Sequence, residues 1–279
     1  MSEATDPAPA EDLRPAVRVG SPILHASLVI APISLFVSIY LATFVASGFL
    51  LRPYVQWCAL LSVAVATLVT IRFWEHGRFD IGFIVSPRLA IGDFALGALF
   101  AGLLILTCDG LIVLFSHVRQ TWAGGFPAAE LVLVFVPAAL HEELAFRGYP
   151  YQKMRQWNRG AAIFASSTVF ALLHAGNDAV SPFALGNIFL AGVLLALAYE
   201  RFRRLWFPIG IHFAWNVISG PVLGFPVSGF VSPRSLLRIH GGGAALVTGG
   251  AFGVEASLWI TAVEIVGIAI LLKNVRRVR

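Results

Sequence analysis

Glu142 and Glu143 stand side by side in an otherwise apolar stretch, with Arg147 four residues after Glu143. On a helix, positions i and i+4 share a face, so Glu143 and Arg147 can neutralise each other and brace the helix. Glu142 is rotated about 100° away and has no such local partner, which leaves it to face a cavity as a candidate general base. His141, one residue earlier, need not share that face. Further along, His212 and Asn216 are again at i and i+4. Both can donate and accept hydrogen bonds, which suits a developing oxyanion, or one metal ligand with an orienting amide. Interhelical hydrogen bonding, common in membrane bundles, is the structural alternative for this pair. His174 is predicted near the end of its helix, where a single histidine usually serves as a cap.

These groups must be carried by helices in lipid. The hydrophobic fraction is 58% and only 13% of the residues are charged; the mean hydropathy is +0.81. That balance is too apolar for a soluble chain and predicts an all-α, polytopic membrane protein. Eight spans are expected, at 23–50, 55–72, 91–116, 127–150, 160–175, 183–200, 205–219 and 254–272. With this count, fifteen Lys and Arg fall in the segments on one side and four on the other, Arg147 lying within a span. The positive-inside rule then predicts that both termini are cytoplasmic. If the fourth helix runs to Trp157, Glu142 lies roughly 22 Å in from that side and His174 roughly 21 Å, with His212 and Asn216 at roughly 12 and 18 Å. Four polar groups from three helices thus share one layer. Ionisable groups held there cost several kcal/mol unless they are paired or functional.

The rest of the chain is plainer. Residues 1–20 are expected to form a disordered tail, without the basic start and short apolar core of a cleaved signal peptide. Residues 21–279 form one transmembrane domain, with a catalytic core at about 127–219. Pro137 is expected to bend the fourth span, and Pro208 to begin or kink the seventh. The stretch 220–253, rich in Gly, Pro and Ser, is expected to be a flexible outer loop. Cys58 and Cys108 have neither disulfide nor metal spacing and read as packing residues. The basic balance (formal net charge +5) is explained by loops that orient the chain and meet anionic headgroups. It calls for no nucleic acid.

The ordered trio Glu142-Glu143-Leu144-Ala145-Phe146-Arg147, Phe170-Ala171-Leu172-Leu173-His174 and His212-Phe213-Ala214-Trp215-Asn216 resembles the CAAX protease and bacteriocin-processing family, CPBP, also called Abi or type II CAAX prenyl endopeptidases. The resemblance covers about 130–220. It implies an intramembrane endopeptidase in which Glu142 and His174 activate water, His212 and Asn216 stabilise the oxyanion, and Glu143 and Arg147 support the site. Its partners would be membrane lipid and a peptide or prenylated-protein substrate. A multi-pass protein of a bacterial inner membrane is expected. The family has been described both as metal-dependent and as a metal-free glutamate protease. No His-Glu-x-x-His motif is present, yet Glu142, His174 and His212 could supply three ligands to a divalent metal such as zinc.

Two other classes use the same residues. A proton-coupled transporter could join Glu255, Glu264, Asp93 and Asp109 to the buried Glu and His groups. A non-catalytic membrane scaffold would keep the polar network for association.

Overall fold

Uninterrupted apolar runs become long helices whose outward faces stay apolar. The computed structural model describes residues 22–50 and 54–274; the tail expected at 1–20 lies outside the described residues. In chain order come α1 (Pro22–Leu50), α2 (Val55–Phe73), α3 (Pro87–Phe115) and β1 (Arg119–Trp122). A short α4 (Ala128–Glu130) passes through a π-helical turn (Leu131–Phe135) into α5 (Val136–Phe146), followed by α6 (Tyr149–Trp157). Then follow α7 (Arg159–Leu173), a 3-10 turn (His174–Gly176), α8 (Pro182–Phe202) and α9 (Trp206–Val217), which continues into a second π turn (Ile218–Val222). Finally come β2 (Leu237–His240), α10 (Ala245–Thr248), a 3-10 turn (Val254–Ala256) and α11 (Leu258–Asn274). Starts are marked by capping side chains: Ser86, Asn158 and Ser181 each accept an N–H from the first turn of α3, α7 and α8. Pro87 and Pro182 sit just inside, where no N–H is needed.

Helical segments occupy all eight expected stretches. Among the described residues, four helical stretches, Ser27–Ser47, Val55–Phe73, Pro87–Phe115 and Pro182–Phe202, are long and apolar enough to cross a membrane. Leu41, Leu61, Leu68, Leu99 and Leu103 are exposed on the first three, as a lipid-facing surface requires. α8 is central, with 56% of its apolar window buried against 17% for α1. The helices that carry the candidate site, α5, α7 and α9, are shorter, 11, 15 and 12 residues. Short and broken helices are tolerated at membrane depth where they are enclosed by protein or line a polar cavity.

Two expectations are corrected. The stretch 127–150 is not one helix that runs on to Trp157. It ends at Phe146, turns at Gly148, and α6 departs separately. A Cβ on Gly148 would overlap the Leu144 carbonyl, so this residue permits the turn. The side chain of Gln152 closes the break by donating to the carbonyls of Arg147 and Ile81. Nor is 220–253 a flexible loop. It contains β2, which pairs antiparallel with β1 (Arg119 opposite His240, Trp122 opposite Leu237), and its Leu223, Phe225 and Val227 are buried. Pro137 lies in the first turn of α5, directly after the π turn, and Pro208 in the first turn of α9. Pro208 thus begins its helix, whereas Pro137 follows an interruption of the regular ladder within a continuous helical run.

The opposite ends of the bundle differ in their ion pairs. At one end Lys153 pairs with Glu75, Arg204 with Asp93, and Glu200 receives Arg155, Arg159 and Arg203. Tyr151 on α6 also donates to Glu200. Burial and that carboxylate push its phenol well above the usual range, so it remains a donor. Arg119 and Arg238 lie at the other end, on the strands.

Candidate active site

The site begins with the placement of α9. It crosses α3 in close contact through paired glycines. A Cβ on Gly210 would overlap the Phe94 carbonyl, and one on Gly97 the Phe207 carbonyl. Small residues let helix backbones approach this closely, and the approach fixes the depth of His212 two residues later. On α5, the π turn is held by Trp57 of α2, whose indole donates to the Val132 carbonyl at 3.1 Å. π turns interrupt the regular ladder and often sit beside functional residues.

Glu143 and Arg147 pair as the spacing predicts: Arg147 Nη1 donates to Glu143 Oε1 at 3.1 Å, and both side chains are fully buried. Arg147 Nη2 also donates to the Gly192 carbonyl of α8 at 2.9 Å. Its guanidinium lies 4.8 Å from the centroid of the Phe170 ring. One side chain therefore ties α5 to α7 and α8. The sequence did not reveal that the same Glu143 oxygen accepts a 2.8 Å bond from His212 Nδ1, 69 residues away. The other nitrogen, Nε2, is then directed to Glu142, 3.7 Å from Oε2.

His174 caps α7, and its Nδ1 donates to the Phe170 carbonyl at 2.7 Å. A carbonyl can only accept, so the Nδ1 proton is fixed and a neutral ring presents Nε2 as a lone pair. Phe170 packs 4.7 Å from the His174 ring and edge-on to His212 at 6.1 Å. This accounts for the aromatic residue four places before the histidine. It anchors one imidazole through its carbonyl and packs against both.

Glu142, His174, His212 and Asn216 line one cavity of about 570 Å³. Glu142 is within electrostatic reach of both imidazoles, and its buried Oε2 accepts no hydrogen bond from the described residues. His141, Trp215, Ser228 and Glu255, to which the sequence reading gave no catalytic role, also line the wall. His141 Nε2 meets the Tyr40 hydroxyl of α1 at 2.7 Å. Of the acids considered for a relay, Asp93 is committed to Arg204 and Asp109 accepts from Gln120. Glu264 is buried and Glu255 lines the cavity. Cys58 and Cys108 are both free and buried.

Glu142, His174 and His212 are donors of the kind a divalent metal takes. Nevertheless, among the described residues no group of three or more His, Cys, Asp or Glu is arranged to hold one. His212 has one nitrogen on Glu143 and the other turned to Glu142. No step below is routed through a metal.

A helical membrane chain with a buried carboxylate–imidazole cavity defines a class. Residues 124–218 match the family model described as type II CAAX prenyl endopeptidase Rce1-like. The matched region contains α5, α7 and α9 with all three motifs, and the model agrees with the family that the motifs resemble. No match was found among curated proteins or among solved structures.

Proposed function

We propose that this protein is an intramembrane endopeptidase that hydrolyses a peptide bond of a membrane-associated protein or peptide, with both termini of the chain on the cytoplasmic side. The observation that carries the reading is the convergence of Glu142, His174, His212 and Asn216 from separate helices on one cavity.

The chemistry follows from hydrogen-bond direction. The Glu142 carboxylate and His174 Nε2 are both acceptors, so together they orient a water and take its proton as it attacks the substrate carbonyl. The carbonyl oxygen becomes an oxyanion. Asn216 can donate from its amide. His212 already donates Nδ1–H to Glu143, so it donates from Nε2 as well only when it is an imidazolium. Two carboxylates, Glu142 and Glu143, balance that charge and the charge of Arg147. Collapse of the tetrahedral intermediate breaks the C–N bond. The proton taken from water passes to the leaving nitrogen, giving a carboxylate and an amine. Glu143 and Arg147 never touch the substrate; they hold His212 in position and in charge state.

The test is cleavage by purified protein in detergent. Glu142→Gln and His174→Ala should each remove most activity. Normal turnover in both would refute the assignment of roles.

A further inference from the structure

Glu255 lies outside the family match, on the 3-10 turn before α11, yet its side chain reaches the cavity wall. It is 6% exposed. A buried carboxylate is expensive unless its oxygens are used. Glu255 Oε2 accepts both the backbone N–H of Ser228 at 2.5 Å and its hydroxyl at 2.8 Å. Ser228 has φ of 47°, a left-handed conformation that residues other than glycine seldom adopt. The remaining polar group of Ser228, its carbonyl, accepts Asn177 Nδ2 at 2.9 Å. Asn177 follows His174 by three residues, and its own N–H returns to the His174 carbonyl at 3.1 Å.

A continuous path thus runs from Glu255 through Ser228 and Asn177 to the turn that presents His174. Its base is firm, because the Glu255 carbonyl accepts Asn187 Nδ2 of α8 at 2.8 Å. The strap itself is closed by reciprocal backbone bonds between Val227 and Phe230. Strained backbone persists only where the surroundings over-determine it, and it clusters at functional sites.

Building on the protease reading, we propose that Glu255 is a positioning residue: by clamping Ser228 it holds the strap 227–230 and, through Asn177, the His174 turn in the geometry that water activation requires. A simple loop staple would support stability without affecting turnover. A positioning clamp affects kcat and is rescued by any side chain that still accepts both bonds.

The experiment uses the full chain in detergent micelles. It measures hydrogen exchange by mass spectrometry and cleavage of a mixed-sequence quenched-fluorophore peptide library. Loss of the clamp in Glu255→Ala should speed exchange at 227–230 and 174–178 about tenfold and lower kcat by at least as much, with little change in KM. Glu255→Gln, whose amide oxygen still accepts from Ser228, should bring both within about threefold of wild type. If Glu255→Ala does not fold, Asn177→Ala cuts the other tether and reads the same quantities. Wild-type exchange and turnover in Glu255→Ala would overturn the proposal, as would a Gln variant as impaired as Ala. Glu142→Gln, run alongside, separates the two claims. Cleavage surviving there defeats the catalytic role assigned to Glu142; cleavage lost there but intact in Glu255→Ala defeats this inference alone.

Discussion

The Glu143–Arg147 pair permits stability and activity to be separated. Both side chains are fully buried. Glu143→Ala leaves the Arg147 guanidinium without its counter-ion and His212 without its acceptor. Removing one member of a buried pair costs about 3–5 kcal/mol. For a domain of this size that corresponds to a fall in Tm of about 6–20 °C. Removing both charges has a different outcome. Glu143→Leu combined with Arg147→Met leaves no uncompensated charge, and such replacements are often neutral or stabilising. The Gly192 carbonyl loses a donor and the His212 Nδ1–H its acceptor, so the double variant should be more stable than Glu143→Ala yet about 2 kcal/mol below wild type. Activity should not return, because nothing then holds His212 Nδ1; loss of its oxyanion bond should lower kcat by at least about 10²-fold. The assay is thermal unfolding in detergent by circular dichroism, paired with peptide-library turnover. A wild-type Tm in Glu143→Ala, a double variant as unstable as the single, or a double variant with full activity would each refute the reasoning.

Four further outcomes are expected. Glu142→Gln and His174→Ala should lower kcat by about 10²–10⁴-fold while changing Tm little, since His174 gives the fold only one local bond, at the end of α7. Asn216→Ala should reduce kcat by about 10²–10³-fold with little change in KM, measured on the same library. The pH–rate profile should be bell-shaped. Glu142 acts as a carboxylate, so the rate falls on its acid side; His212 acts as an imidazolium, so the rate falls on its alkaline side, and His212→Gln should flatten the alkaline limb. Gly210→Leu should abolish a stable fold, because even a Cβ there would overlap the Phe94 carbonyl; yield of monodisperse protein in detergent is the readout.

Much of the site was legible because it rests on local spacing. The pairing of Glu143 with Arg147, and the shared face of His212 and Asn216, need only helix geometry. Helix positions were also legible, since long apolar runs report them directly. The break at Gly148 was hidden because Tyr149–Trp157 continues a helical pattern, and one glycine inside such a pattern is often tolerated. The bond between His212 and Glu143 joins residues on different helices, and no periodicity encodes it. β1 and β2 are four residues each and pair across more than a hundred positions, so neither carries a strand signal of its own. Ser228 was masked by a stretch whose Gly, Pro and Ser content reads as loop. Glu255 was legible only as one acid near the last helix.

Hydrolysis at this cavity can be read from the oxygen atom it installs. Membrane vesicles incubated with the purified protein in ¹⁸O-labelled water, followed by mass spectrometry of new peptide C-termini, test it directly. The account predicts new termini whose carboxyl groups carry ¹⁸O from the labelled water with wild-type protein, and none with Glu142→Gln. New termini of equal abundance with both proteins, or termini that carry no label, would contradict it.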